Sequence, residues 1–193
     1  MITTNERPQS PQSSSRFTVR ELVLIGVLTA LSVVLQTVVA VGLHMVPIAA
    51  IPGLMHGVMA FVSCLVLYVM ARKVPRAGTL TIGLTTYGLA VLILKGSVFH
   101  SAGLVLGGVA ADVFAHLRGG YQGRWTIIVA LVLFRVIATA VAQLDKVVKQ
   151  MTQVHLVWYF IALAILGAAV GAVLGGVAGR RFMDRMERAG VAA

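Results

Sequence analysis

The sequence predicts an all-α integral membrane protein, a bundle of six transmembrane helices with both termini in the cytoplasm. Three observations carry that expectation. The 193 residues are 59% hydrophobic and only 11% charged, with a mean hydropathy of +0.94, whereas soluble domains carry about 25% charged residues. Six apolar segments follow one another, close to the roughly 20 residues needed to cross about 30 Å of hydrocarbon. Lys and Arg gather at alternate segment ends, as retention of positive flanks in the cytoplasm requires.

Residues 1–16 are rich in Ser, Thr, Gln and Pro and show no apolar periodicity. They read as a disordered cytoplasmic tail rather than a cleavable signal peptide, which leaves targeting to the first helix. The membrane domain is placed at 17–186, with spans at about 20–43, 46–71, 78–95, 98–117, 125–145 and 155–180, and a cytoplasmic C-terminal tail at 187–193. The third span is short. The second contains Pro47, Pro52 and Gly53, which predicts a broken or re-entrant start, a backbone that survives only under protein or beside a wet cavity.

Twelve of the sixteen Lys and Arg residues fall on one side: Arg7, Arg16, Arg20, Arg72, Lys73, Arg76, Arg118, Arg124, Arg180, Arg181, Arg185 and Arg188. Lys95, Lys146 and Lys149 fall on the other, and Arg135 lies inside the fifth span. The net charge of +10 therefore reflects loop charges, and nucleic acid is not an expected partner. A phosphate-binding Gly-x-x-x-x-Gly-Lys-Ser/Thr loop is lacking, so any ATP-driven work falls to other subunits. Cys64 stands alone, which excludes an intramolecular disulfide and Cys-based structural zinc.

Helix pairing in lipid depends on small residues that let backbones approach. The last helix carries Gly167, Gly171, Gly175 and Gly179, with Ala164, Ala168, Ala172 and Gly176 beside them. The fourth carries Gly103, Gly107, Ala111 and Ala115, and the first a shorter version in Gly26 and Ala30. Contacts inside the bundle are the ordinary use of such stripes. Three of them exceed what six helices need, so one is expected to face another subunit.

Ionisable groups at membrane depth are costly unless paired or hydrated, which makes each a site candidate. Arg135 and Asp112 could form a structural ion pair if the fourth and fifth helices are neighbours; a ligand contact is the alternative for Arg135. The imidazoles of His44, His56, His100, His116 and His155, with Met45 near the outer ones, invite a metal or haem reading, but they share no face or motif and interfacial hydrogen bonding is the more ordinary explanation. No metal site is assigned. Lys95 and Lys149 on the outer side favour a weakly anionic ligand through their field. Trp158 and Tyr159 could stack on a flat ligand, or serve only as interfacial belt aromatics. The candidate binding set is Gln36, His44, Met45, His56, Lys95, His100, Arg135, Lys149, His155, Trp158 and Tyr159. No catalytic constellation is present, so an enzyme is not expected.

The opening Phe17-Thr18-Val19-Arg20-Glu21-Leu22-Val23-Leu24-Ile25-Gly26, the loop Ala71-Arg72-Lys73-Val74-Pro75-Arg76-Ala77-Gly78, the stretch Gly107-Gly108-Val109-Ala110-Ala111-Asp112-Val113 and the ending Gly179-Arg180-Arg181-Phe182 resemble the Trep_Strep or MptD-type group of substrate-binding (S) components of energy-coupling factor (ECF) transporters. The likeness runs from Phe17 over nearly the whole chain. It implies a six-helix S component of a prokaryotic plasma membrane, capturing a vitamin-like or other micronutrient from outside. Its implied partners are a membrane coupling (T) subunit and two ATPase subunits, which would hold the ATP and Mg; no cofactor is expected in this chain. The Ala-x-x-x-Ala docking feature of many S components is matched here by Gly26-Val27-Leu28-Thr29-Ala30. The rival readings are a structural or assembly subunit of a larger membrane complex and a stand-alone facilitator.

Overall fold

The computed structural model describes residues 17–45, 53–149 and 154–190. Among them run six helices: α1 (Val19–His44), α2 (Leu54–Lys73), α3 (Thr79–Lys95), α4 (Val98–Leu117), α5 (Arg124–Lys149) and α6 (Val154–Arg188). All but α3 are long and apolar enough to span a membrane. At 17 residues, α3 reaches about 26 Å, slightly short of the hydrocarbon thickness.

Adjacent helices alternate in direction. Ser101 of α4 donates to the Gly88 carbonyl of α3 (2.8 Å), while the carboxylate of Asp112, a later residue of α4, meets the earlier Thr81 of α3. Gly103 and Gly107 of α4 face Ala138 and Phe134 of α5, and Gly176 of α6 faces Ile128 of α5. Consequently α2 and α6 run parallel, as do α1 and α3. The start of α1 and the end of α6 lie at one end of the bundle, here the terminal end. The opposite, far end holds the close of α1, α3 and α5 and the start of α2, α4 and α6.

Glycine sets the closest helix contact. A Cβ on Gly167, Gly171 or Gly175 would overlap the backbone of Gly53, Gly57 or Phe61, and one on Gly179 would come within 2.8 Å of Tyr68 Cβ. The second α6 stripe, Ala164, Ala168 and Ala172, is equally buried, with Gly176 turned to α5. On α4, a Cβ at Gly103 or Gly107 would stand 2.7 Å or 2.6 Å from the carbonyl oxygens of Ala138 and Phe134. These two stripes are therefore consumed within the bundle. The short stripe on α1 differs: Gly26 and Ala30 are exposed, and nothing lies within 4 Å of a Cβ built on Gly26.

One span expectation needs correction. Helix α2 is described from Leu54, behind Gly53 in the left-handed region at φ 84°; the start expected near 46, with Pro47 and Pro52, lies outside the described residues. Helix α6 runs past 180 to Arg188, because its polar extension pairs with neighbouring helices, Arg124 of α5 with Asp184 (3.4 Å) and Arg72 of α2 with Glu187 (3.6 Å), and within itself, Arg180 with Asp184 one turn on (3.9 Å). It thus enters the stretch expected as a tail at 187–193; residues 1–16 lie outside the described residues.

The terminal end gathers Arg20, Arg72, Lys73, Arg76, Arg118, Arg124 and the arginines that close α6. There Thr18 and Glu21 form a capping box, and Arg76 joins Glu21 at 2.9 Å while lying over the Phe17 ring. Such exposed pairs are worth little energy, about 0–1 kcal/mol each, but they fix where α1 starts against the α2–α3 turn. The outer faces of α1, α4 and α6 present Val27, Val34, Leu106, Val113, Leu166 and Val170, an apolar exterior suited to lipid.

Candidate ligand pocket

The buried side of α1 is polar, although the helix is apolar elsewhere. Thr29, Ser32 and Gln36 recur at three and four residues and are buried together with Ile25, so one helical face turns inward. Gln36 donates to Ser32 Oγ (3.0 Å) and accepts from the Tyr87 hydroxyl of α3 (3.0 Å). Across the bundle, the Gln143 amide of α5 bonds the His56 imidazole of α2 at 2.9 Å. These polar links converge beneath the far end.

Between them lies a cavity of about 180 Å³, lined by Val33, Gln36, Thr37, Met55, His56, Met59, Tyr87, Val91, Leu94, His100 and Arg135. Five helices contribute to it. Arg135, 8% exposed, comes from the middle of α5; its Nε is buried without a hydrogen-bond partner. Among the described residues it makes no ion pair. Deeper, the interior narrows to a void of about 10 Å³ beside Thr29, Ser63, Gly83 and Phe134. Beyond it Leu67, Leu80, Leu84 and Leu104 are buried. The cavity is thus one-ended. A larger groove of about 470 Å³ follows the α2–α6 seam along Gly53, Gly57, Phe61, Gly167, Leu166 and Val170. Its apolar lining suits a lipid chain and offers no group for orienting a polar ligand.

Of the eleven candidate binding residues, Gln36, His56, His100 and Arg135 meet in this cavity. His44 and Met45 are exposed at the end of α1, and Trp158 and Tyr159 are 55% and 63% exposed on α6, away from the cavity lining. The side chains of Lys95, Lys149 and His155 lie outside the described residues. Among the described residues no three metal-ligating side chains come together. Tyr87, Thr37, Met55 and Met59 were missed; the three-four spacing of polar residues on α1 was the available signal, but their partners on α2 and α3 needed the fold.

The expected pair of Asp112 and Arg135 does not form. By the α4–α5 register, in which Gly103 meets Ala138 and Gly107 meets Phe134, Asp112 stands level with Val129, about 9 Å along the axis from Arg135. Instead Asp112 Oδ2 accepts from Thr81 N–H (2.7 Å) and the Thr81 hydroxyl (2.6 Å), and Oδ1 accepts from the Tyr121 hydroxyl. Tyr121 lies in the α4–α5 loop and is 1% exposed. Burial pushes its phenol above the ordinary range and the adjacent carboxylate adds to the shift, so it keeps the proton that it donates.

Residues 19–144, well over half of the chain, match the model of a family described as a hypothetical bacterial integral membrane protein, Trep_Strep. The chain belongs to the Trep_Strep family. No curated protein and no solved structure matches it. With its apolar spanning helices, this Trep_Strep member is a multi-pass bacterial membrane protein. The matched span covers α1 to most of α5 and stops before α6. Three stretches of the Trep_Strep chain singled out in the sequence, around Glu21, Arg76 and Asp112, lie toward the terminal end, away from the cavity.

Proposed function

We propose that this Trep_Strep member is the substrate-binding component of an ECF-type importer, capturing a micronutrient and delivering it with energy from partner ATPases. The observation that carries the reading is the one-ended cavity: a pocket with a few polar groups set in an apolar wall, which approaches the far end and stops above packed leucines. A receptor needs such a dead end, whereas a channel needs a path. With the arginine-rich terminal end in the cytoplasm, the cavity faces outward. The exposed Gly26 and Ala30 on α1 then offer the bilayer-facing surface where a membrane coupling subunit can pack closely. ATP and Mg belong to two ATPase subunits, since this chain has no nucleotide-binding loop.

The test is affinity purification of the tagged chain from its native membrane. Recovery of a coupling subunit with ATPases is the expected result. A stable complex without any ATPase favours an assembly subunit instead, and uptake by the isolated chain in vesicles favours a facilitator.

A further inference from the structure

Among the described lining residues Arg135 is the one cationic side chain whose charge does not depend on protonation near neutral pH, and none of them is a carboxylate. Its guanidinium is buried, one of its donors is unmet, and the Asp112 carboxylate is committed to Thr81 and Tyr121 on another level of the bundle. A charge held at this depth with no counter-ion among the described residues destabilises the empty protein. Gln36 and Tyr87 already bond each other, so they orient rather than neutralise. We infer that this cavity takes a small organic monoanion, a carboxylate on a compact apolar body, whose negative charge pairs with Arg135.

The chemistry of the wall narrows the class. A cation has no counter-charge here, and a neutral ligand leaves the guanidinium unpaired. A doubly charged phosphate exceeds the one permanent positive charge among the described lining residues. Carboxylate matches the planar fork of guanidinium donors. Val33, Met55, Met59 and Val91 supply an apolar surface, with thioethers that adapt to irregular shapes. The volume of about 180 Å³ corresponds to about six waters' share of liquid, which suits a body of one ring or a short chain. This inference rests on the substrate-binding reading and specifies its ligand.

The experiment uses the full chain, purified in detergent, with benzoate, nicotinate and hydrocinnamate, each against its carboxamide and against inorganic phosphate, at concentrations up to 1 mM. Thermal unfolding and calorimetric titration are the readouts. At least one carboxylate is expected to raise the melting temperature and bind at least tenfold more tightly than its carboxamide and than phosphate. R135M is expected to lose that binding at least tenfold while melting higher than the wild type without added anion, because an unpaired buried charge has been removed. R135K, which keeps the charge but not the fork, should bind in between. Equal binding of acid and amide, preference for phosphate, failure of all three carboxylates, or R135M melting lower than the wild type overturns the inference. Co-purification of ATPases with the wild-type chain is scored separately, so a neutral ligand in a coupled complex sinks this inference alone, whereas carboxylate binding without ATPase partners sinks the importer reading alone.

Discussion

Asp112 is a carboxylate that serves a helix other than its own. Helix α3 starts behind Gly78, which has no side chain to cap the first turn, and the Thr81 N–H in that turn is one of the donors a helix cannot satisfy internally. Asp112 reaches it from α4 and places negative charge at the positive end of the α3 dipole. Asp112→Ala would strand the two half-buried donors of Thr81 and the buried Tyr121 hydroxyl. At about 1–3 kcal/mol for each unsatisfied group, unfolding in detergent should become easier by about 3–5 kcal/mol. Tyr121→Phe, which removes one bond and leaves two, should lower stability by about 1–2 kcal/mol in the same assay. A neutral Asp112→Ala would disprove the cap. The sequence singled out Asp112 and Arg135 by one rule, that charge at membrane depth needs a reason, but their axial levels and the Thr81 partner depend on helix register, which spacing along one chain does not reveal.

At the scale of helices, three small-residue stripes that look alike in sequence meet different neighbours. Those on α4 and α6 meet backbone carbonyls, so an added methyl cannot be absorbed by a side-chain shift. Gly171→Ala should therefore destabilise by about 1–3 kcal/mol, as overpacking does. Gly26→Ala, on the open face of α1, should leave thermal stability unchanged or raise it by up to about 1 kcal/mol through helix propensity. The pair separates packing from docking when measured side by side. Gly26→Leu combined with Ala30→Leu should preserve the fold and abolish recovery of the coupling subunit in affinity purification; undiminished recovery would remove α1 from the docking surface. Four-residue spacing was enough to recognise the stripes. Which one remained open was not legible, because a helix carries no mark of whether its groove is already occupied.

For the whole molecule, hydropathy was sufficient to read six helices and charge placement to read a shared end for the start of α1 and the end of α6, since these properties follow from lipid and need no tertiary detail. The extent of α6 was misplaced because a set of ion pairs, rather than hydropathy, sets its limit. Orientation follows by labelling. Cys64 is fully buried, and a Cys64→Ser background removes it altogether. In that background His44→Cys at the far end should react with an impermeant maleimide in intact cells, and Gln122→Cys in the α4–α5 loop should react only after the membrane is opened. The reverse pattern would invert the topology and turn the cavity toward the cytoplasm.

The α2–α6 seam brings main chain against main chain, with few side chains between that could change rotamer as the helices shift. Two rods joined in this way behave as a keel: they move together or part altogether. Helix α1, by contrast, is held inside mainly by Ile25, Thr29, Ser32 and Gln36, and its other faces are largely exposed. Of the two, α1 is the element that can shift with less repacking, at the expense of the Gln36–Tyr87 hydrogen bond, while the keel stays shut.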